Sequence, residues 1–103
     1  IPVCPEQLGG FSTPRDAAER FKNKVITKNK KDVTKQFEKG AKETARICKI
    51  IGCKKAILKA RSPSCGSGKI YDGSFSGTLI EGDGVTTKKL KKIGVEVISE
   101  EDL

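Results

Sequence analysis

A three-layer, Rossmann-like α/β domain with a mainly parallel sheet is the fold class predicted by three features of this 103-residue chain. Short apolar runs end in cysteine or glycine turns, one long stretch carries its apolar residues at helical spacing, and two helix-to-strand junctions look alike. Lys49-Ile50-Ile51-Gly52-Cys53 and Lys91-Lys92-Ile93-Gly94-Val95 both run through glycine into an apolar segment, as where a helix ends in a left-handed residue and feeds a strand. The length suits one domain over 1–103.

In chain order, Ile1 to Cys4 is apolar and stops at Pro5, so it reads as the last part of a strand, with a loop from Glu6 to Pro14. Lys24-Val25-Ile26-Thr27 reads as a short extended piece before the basic turn Lys28 to Lys31. From Thr34 to Ile51 the positions Phe37, Ala41, Ala45, Cys48 and Ile51 recur at spacings of four and three, which predicts a helix with one apolar face. Asp32 or Thr34 can cap its start, and Gly40 inside it costs about 1 kcal/mol relative to alanine. Lys55 to Ala60 then predicts an interior strand. Tyr71-Asp72-Gly73-Ser74 predicts a small hairpin, Asp83 a cap for a helix over 85–93, and Val95 to Ile98 a further strand continuing toward Leu103. Two consecutive strand-helix-strand crossovers are expected.

Composition narrows the function. No apolar stretch approaches the roughly 20 residues of a membrane span, and the start IPVCPEQLGG has no basic region followed by an apolar one, so neither a membrane segment nor a signal peptide is expected. Four cysteines without a secretory signal point to the reducing cytoplasm, where such residues serve more often as ligands, catalytic groups or packed thiols than as disulfides. The net charge of +8 is concentrated between Arg20 and Lys49 and reads as the solvated face of a helix. Nucleic acid is not expected as a partner, because Phe11, Phe21, Phe37, Phe75 and Tyr71 are scattered rather than set out as a stacking platform. With no histidine there is neither a Cys/His zinc set nor a Ser-His-Asp triad, and the glycines do not match a phosphate-binding loop.

The chemistry-bearing segments are Val3-Cys4-Pro5-Glu6 and Ser62-Pro63-Ser64-Cys65-Gly66-Ser67-Gly68, each directly after a predicted strand. Ligands of open α/β sheets bind beyond the carboxyl ends of the strands, so Cys4 and Cys65 can meet there around a shared metal or iron-sulfur group. The glycines beside Cys65 can turn several amides toward one anion, and Lys59 and Arg61 flank that loop. Cys48 lies on the helical apolar face and Cys53 opens a strand, roughly 20 Å from its far end at about 3.3 Å per residue, so both read as packed thiols.

Taken with Thr13-Pro14-Arg15, Asp32-Val33-Thr34, the run from Ala56 to Gly68, Tyr71-Asp72-Gly73, Phe75-Ser76-Gly77 and Gly82-Asp83-Gly84-Val85-Thr86, these motifs make the chain similar to the domain-of-unknown-function family 523, the thiouracil desulfidase-like proteins. The resemblance implies a 4Fe-4S cluster held by three cysteines, with an open iron that takes sulfur from a thiocarbonyl compound such as 2-thiouracil without net redox change. It implies cofactor and metal ligation by Cys4 and Cys65 and catalytic assistance by Glu6 and Ser62. The family's third cysteine stands in a Ser-Ala-Cys-Leu-Leu-Gly type motif ending an earlier strand, and no stretch here matches it. With no methionine in the chain and isoleucine in first position, the expectation is a domain truncated at its N-terminus, lacking its first strand and helix. The complete protein is expected to be an enzyme acting on a small thiolated heterocycle. A non-catalytic small-molecule or anion-binding module of the same family is the alternative. Pairing of copies would cover an exposed sheet edge.

Overall fold

The longest element, helix α2 (Thr34–Ile51), buries Phe37, Gly40, Ala41, Thr44, Ala45 and Cys48 along one face, the spacing anticipated from the sequence. The computed structural model describes residues 5–10 and 17–102. Around α2 lie helix α1 (Pro5–Leu8), strands β1 (Ala18–Phe21) and β2 (Lys24–Thr27), and strand β3 (Lys55–Leu58). Strands β4 (Lys69–Tyr71) and β5 (Leu79–Glu81), helix α3 (Val85–Lys92), strand β6 (Glu96–Ser99) and a 3-10 turn at Glu100–Asp102 complete the order. The predicted strand over Ile1 to Cys4 lies outside the described residues.

The parallel element is the pair β3–β6, in register Lys55 with Glu96 through Leu58 with Ser99. Helix α3 makes the crossover between them, and the β4–β5 hairpin interrupts it. Two cores hold the elements together. Ala45, Cys48, Leu90, Val95 and Val97 join α2, α3 and β6, with Cys53, Ala56 and Leu58 packed against them. Val25, Val33 and Phe37 join β2 to the start of α2. Leu90 is fully buried and Val85 packs against the second core, so the short α3, whose sequence VTTKKLKK is mostly polar, is held by two apolar residues and its threonines rather than by a broad stripe.

Several expectations are corrected. Of the two expected crossovers the one through α3 is present, while the other would start from the strand over Ile1 to Cys4, which lies outside the described residues; β2 pairs antiparallel with β1. Strand β1 escaped the periodicity reading because Ala18-Glu19-Arg20-Phe21 has no apolar alternation; its backbone pairing with β2 holds it. The start of the expected Glu6 to Pro14 loop is part of a helical turn, and the chain end turns into a 3-10 helix after Ser99. Strand β3 has a single neighbour among the described residues, and Ile57 is 54% exposed on it. Asp32 satisfies the Thr34 N–H from one position further out than a cap: its Oδ1 accepts that N–H at 2.9 Å and the Thr34 hydroxyl at 2.6 Å, and Thr34 Oγ1 in turn accepts from Val25 N–H at 2.9 Å.

Gly40 has a steric explanation. A Cβ built there would lie 1.8 Å from the Pro5 carbonyl oxygen, and one on Gly9 would lie 2.1 Å from the Gln36 carbonyl oxygen. Helix α1 therefore crosses α2 backbone to backbone, which only a glycine on each side permits. The crossing buries Pro5, the residue after Cys4.

Replacing Gly40 by alanine gains about 1 kcal/mol of helix propensity. The clash with the Pro5 backbone outweighs that, since relief requires α1 to shift. We expect Gly40→Ala to destabilise by about 1–3 kcal/mol net, the range of overpacked cores, seen as a lower midpoint in urea unfolding. The two hydrogen bonds to Thr34 hold the Asp32 carboxyl below its usual value, side-chain bond first. Because the folded value is depressed, this contribution is complete above the unfolded carboxylate range and fades as pH falls through the folded value. Thermal midpoints of wild type and Asp32→Ala should therefore differ at neutral pH and converge in acid; a difference that is constant with pH contradicts the linkage.

Candidate active site

After β3 the chain turns sharply. Arg61 adopts a left-handed backbone, φ 64°, unusual for a side chain of its size. The carboxylates of the C-terminal turn hold this bend: Glu100 Oε1 accepts the Ala60 N–H at 3.1 Å, and Arg61 Nη1 donates to Glu101 Oε1 at 2.7 Å. Glu101, and then Tyr71, push the Arg61 guanidinium above its already high value. Arg61 is thus committed to positioning the loop and not to a thiolate, and Lys59 is exposed.

The following loop is clamped onto the amino end of α3. A helix cannot satisfy its own first N–H groups, and here loop carbonyls do so. Pro63 O accepts from Val85 N–H at 2.8 Å, and Ser64 O accepts from Thr86 N–H at 2.8 Å and Thr87 N–H at 3.2 Å. The hydroxyls of Ser64 and Thr86, both buried, bond each other at 2.8 Å, and Thr87 Oγ1 donates to Cys65 O at 2.8 Å. Gly84 permits the approach, since a Cβ there would lie 2.4 Å from Ser64 C and O. Gly84 itself is the residue preceding α3, so the predicted cap Asp83 is displaced; its Oδ1 instead accepts Gly68 N–H at 2.8 Å, and its carboxylate pairs with Lys91 at 3.2 Å.

Cys65 sits half-buried on this fixed loop, its Sγ 3.7 Å from Ser64 Oγ. Its N–H donates to Ser62 Oγ at 2.6 Å, and Gly66 N–H donates to Ser62 O at 2.9 Å. With the Gly68 amide on Asp83, the amides of Cys65, Gly66 and Gly68 all have internal acceptors, so the anion-binding nest anticipated from the glycines is filled by Ser62 and Asp83. Ser62 accepts one hydrogen bond and keeps its hydroxyl proton to donate.

The other anticipated site residues divide by position. Cys4 lies outside the described residues, as does the side chain of Glu6, whose backbone belongs to α1. Cys48 and Cys53 lie at the opposite end of β3 from the Cys65 loop, as expected of packed thiols. Among the described residues no three His, Cys, Asp or Glu side chains converge on a metal position. The described part of the site thus offers one soft thiol, Cys65, on a rigid support. That fits a single thiolate ligand of an iron-sulfur group, whose other ligands would come from elsewhere. The sequence assigns Gly84, Thr86 and Thr87 no part in the site, and Ser64 only a place in the expected anion nest. Their signal was the proximity of two small-residue segments, which becomes apparent only once α3 docks under the loop.

The family profile described as 2-thiouracil desulfurase matches residues 1–102. The uncharacterised protein YbbK of Bacillus subtilis (strain 168) is 46% identical over 113 aligned positions, spanning all of this chain and 75% of YbbK. The solved structure of the [4Fe-4S]-dependent thiouracil desulfidase TudS superposes with a TM-score of 0.96 at 45% identity, over the whole of this chain and 68% of that one. The chain belongs to the 2-thiouracil desulfurase family.

Proposed function

We propose that this protein is a cytoplasmic iron-sulfur desulfurase that removes sulfur from a thiocarbonyl compound such as 2-thiouracil. The observation that carries the reading is the presentation of Cys65 at the carboxyl end of β3, on a loop that the first turn of α3 immobilises. Family membership and the likeness to TudS support it. Cytoplasmic residence rests on four cysteines in a chain where no described helix is long and apolar enough to cross a membrane.

Cys65 and Cys4 would hold a 4Fe-4S cluster within one desulfurase domain. When bound, the cluster supplies a Lewis-acidic iron with affinity for sulfur. The chain's own residues do the rest. Cys65 must keep its sulfur in one place while substrate comes and goes, and the bonds from its carbonyl to Thr87 and from its amide to Ser62 restrain it on both sides. Ser62, adjacent to the bend, donates its remaining proton toward the substrate heteroatom, while Glu6 serves as the carboxylate that activates water. The alternative of a cluster-free small-molecule or anion-binding module loses the amides of Cys65, Gly66 and Gly68 as donors to an anion, because Ser62 and Asp83 take them.

Anaerobic reconstitution with iron and sulfide tests the reading, with bound iron, the visible spectrum and conversion of 2-thiouracil to uracil as readouts. Cys65→Ser should lose bound iron and all conversion, whereas Cys53→Ser should keep both. Iron binding unaffected by Cys65→Ser would sink the assignment. The clamp gives a separate expectation. Thr86→Val preserves shape but removes the buried hydroxyl partner of Ser64, leaving it only the long contact with Cys65 Sγ, a loss of about 1 kcal/mol. We expect a folded protein that releases iron faster than wild type, measured by transfer to a chelator; equal release rates would show that the loop needs no such support.

A further inference from the structure

The carboxyl end of α2 carries a second pair of sulfur groups, unused by the proposed chemistry. Helix α2 closes in a Schellman arrangement: Gly52 is left-handed at φ 69°, its N–H donates to Lys49 O at 3.3 Å, and Cys53 N–H reaches back to Cys48 O at 2.8 Å. That closure brings the side chains at its two ends together, usually as an apolar contact. Here the two ends are both cysteines. Cys53 packs against the core cluster that contains Cys48, both are free thiols, and both line a groove of about 340 Å³ between α2 and β3.

We propose that Cys48 and Cys53 form a redox-active dithiol that reacts with anionic low-molecular-weight disulfides to give an intramolecular disulfide. Access and charge assign the order of events. Cys53 is the more exposed, its S–H bonded to Lys55 O at 3.0 Å. Lys49, Lys54 and Lys55 are exposed beside it in the chain and favour the approach of an anionic disulfide. Burial first, and then the adjacent Cys53, raise the Cys48 thiol above its usual value, which suits the resolving rather than the attacking role.

The exchange balances without an outside electron carrier. Cys53 gives its proton to solvent, and its thiolate attacks one sulfur of R–S–S–R, forming Cys53–S–S–R and expelling R–S⁻. Cys48 then loses its proton and attacks the Cys53 sulfur, forming the Cys48–Cys53 bond and expelling the second R–S⁻. The protein is oxidised by two electrons, the small disulfide is reduced by two, and the two released protons complete two R–SH. The second step is intramolecular, between two thiols that line the same groove.

The test is equilibration of the chain, with a chelator present, in buffers of graded glutathione to glutathione disulfide ratio. It is followed by acid quench, alkylation and tryptic mapping. Cleavage after Arg46, Lys49 and Lys54 places the two cysteines on separate short peptides. The expected result is a disulfide-linked pair of these peptides, with Cys48 and Cys53 losing alkylation together and recovering under dithiothreitol. Cys48→Ser should instead trap glutathione on Cys53, and cystamine, a cationic disulfide, should react several-fold more slowly. Persistence of both thiols at the most oxidising ratio would overturn the proposal, as would a stable Cys53–glutathione adduct in the wild type or pairing of Cys53 with Cys4 or Cys65. Equal rates with cystamine would overturn the anionic preference.

Discussion

The first turn of α3 has N–H groups that no helix can satisfy from within, and the rest of the site depends on where they go. A side-chain cap would have used one of them and left the loop before Cys65 loose. Instead Val85, Thr86 and Thr87 donate to the carbonyls of Pro63 and Ser64, so one set of bonds ends the helix and fixes the loop. Each partner solves the other's problem: the helix gains acceptors, and a segment rich in serine and glycine, which by itself has little reason to be rigid, gains a frame. The Ser64 and Thr86 hydroxyls at the centre are buried and bonded to each other, so relaxation of the loop would break a buried hydrogen bond.

Close approach of this kind is a steric matter before it is an energetic one. Gly84 admits the Ser64 backbone, and Gly66 sits where a Cβ would meet Ile70, Ser62 O and Lys69 O at 2.8–2.9 Å. The same device recurs where Gly9 and Gly40 let α1 lie on α2. Both segments that carry the proposed ligands, the one beginning after Cys4 and the one around Cys65, are therefore anchored by glycines packed against backbone. In neither case does the glycine serve chiefly to bend the chain. That is why a propensity argument, which treats Gly40 only as a cost to α2, misses what the residue does.

This also explains which parts were readable from sequence. Helix α2, strands β2, β3 and β6 and the turn between β4 and β5 were visible because periodicity and glycine punctuation report local preference and burial of one face. Strand β1 was not, because Glu19 and Arg20 are placed by tertiary partners: Glu19 accepts from Gly73 and Phe75 amides, and Arg20 donates to Asp83 O at 2.7 Å. Cys65 was recognisable as a candidate by residue type and position at a strand end. The Thr86–Ser64 contact spans two segments, and neither motif on its own predicts the other. Asp83 shows the limit most clearly: its position before a helix satisfies every local rule for a cap, yet the Gly68 amide and Lys91 take its carboxylate.

The sulfur chemistry of the chain is divided by the fold. At the carboxyl end of β3, Cys65 is held by neighbours that restrain its backbone. At the amino end, Cys48 and Cys53 are held against each other by a helix terminus. A soft metal cluster and an oxidisable dithiol interfere when they share a pocket, because a small disulfide that reaches one thiol can exchange with the rest. Four ladder residues of β3 and the packed core of Ala45, Leu90 and Val97 stand between the two ends, so Cys53 and Cys65 cannot pair with each other as long as that core stays closed. The packing that supports the loop is then also what keeps the two kinds of thiol chemistry apart.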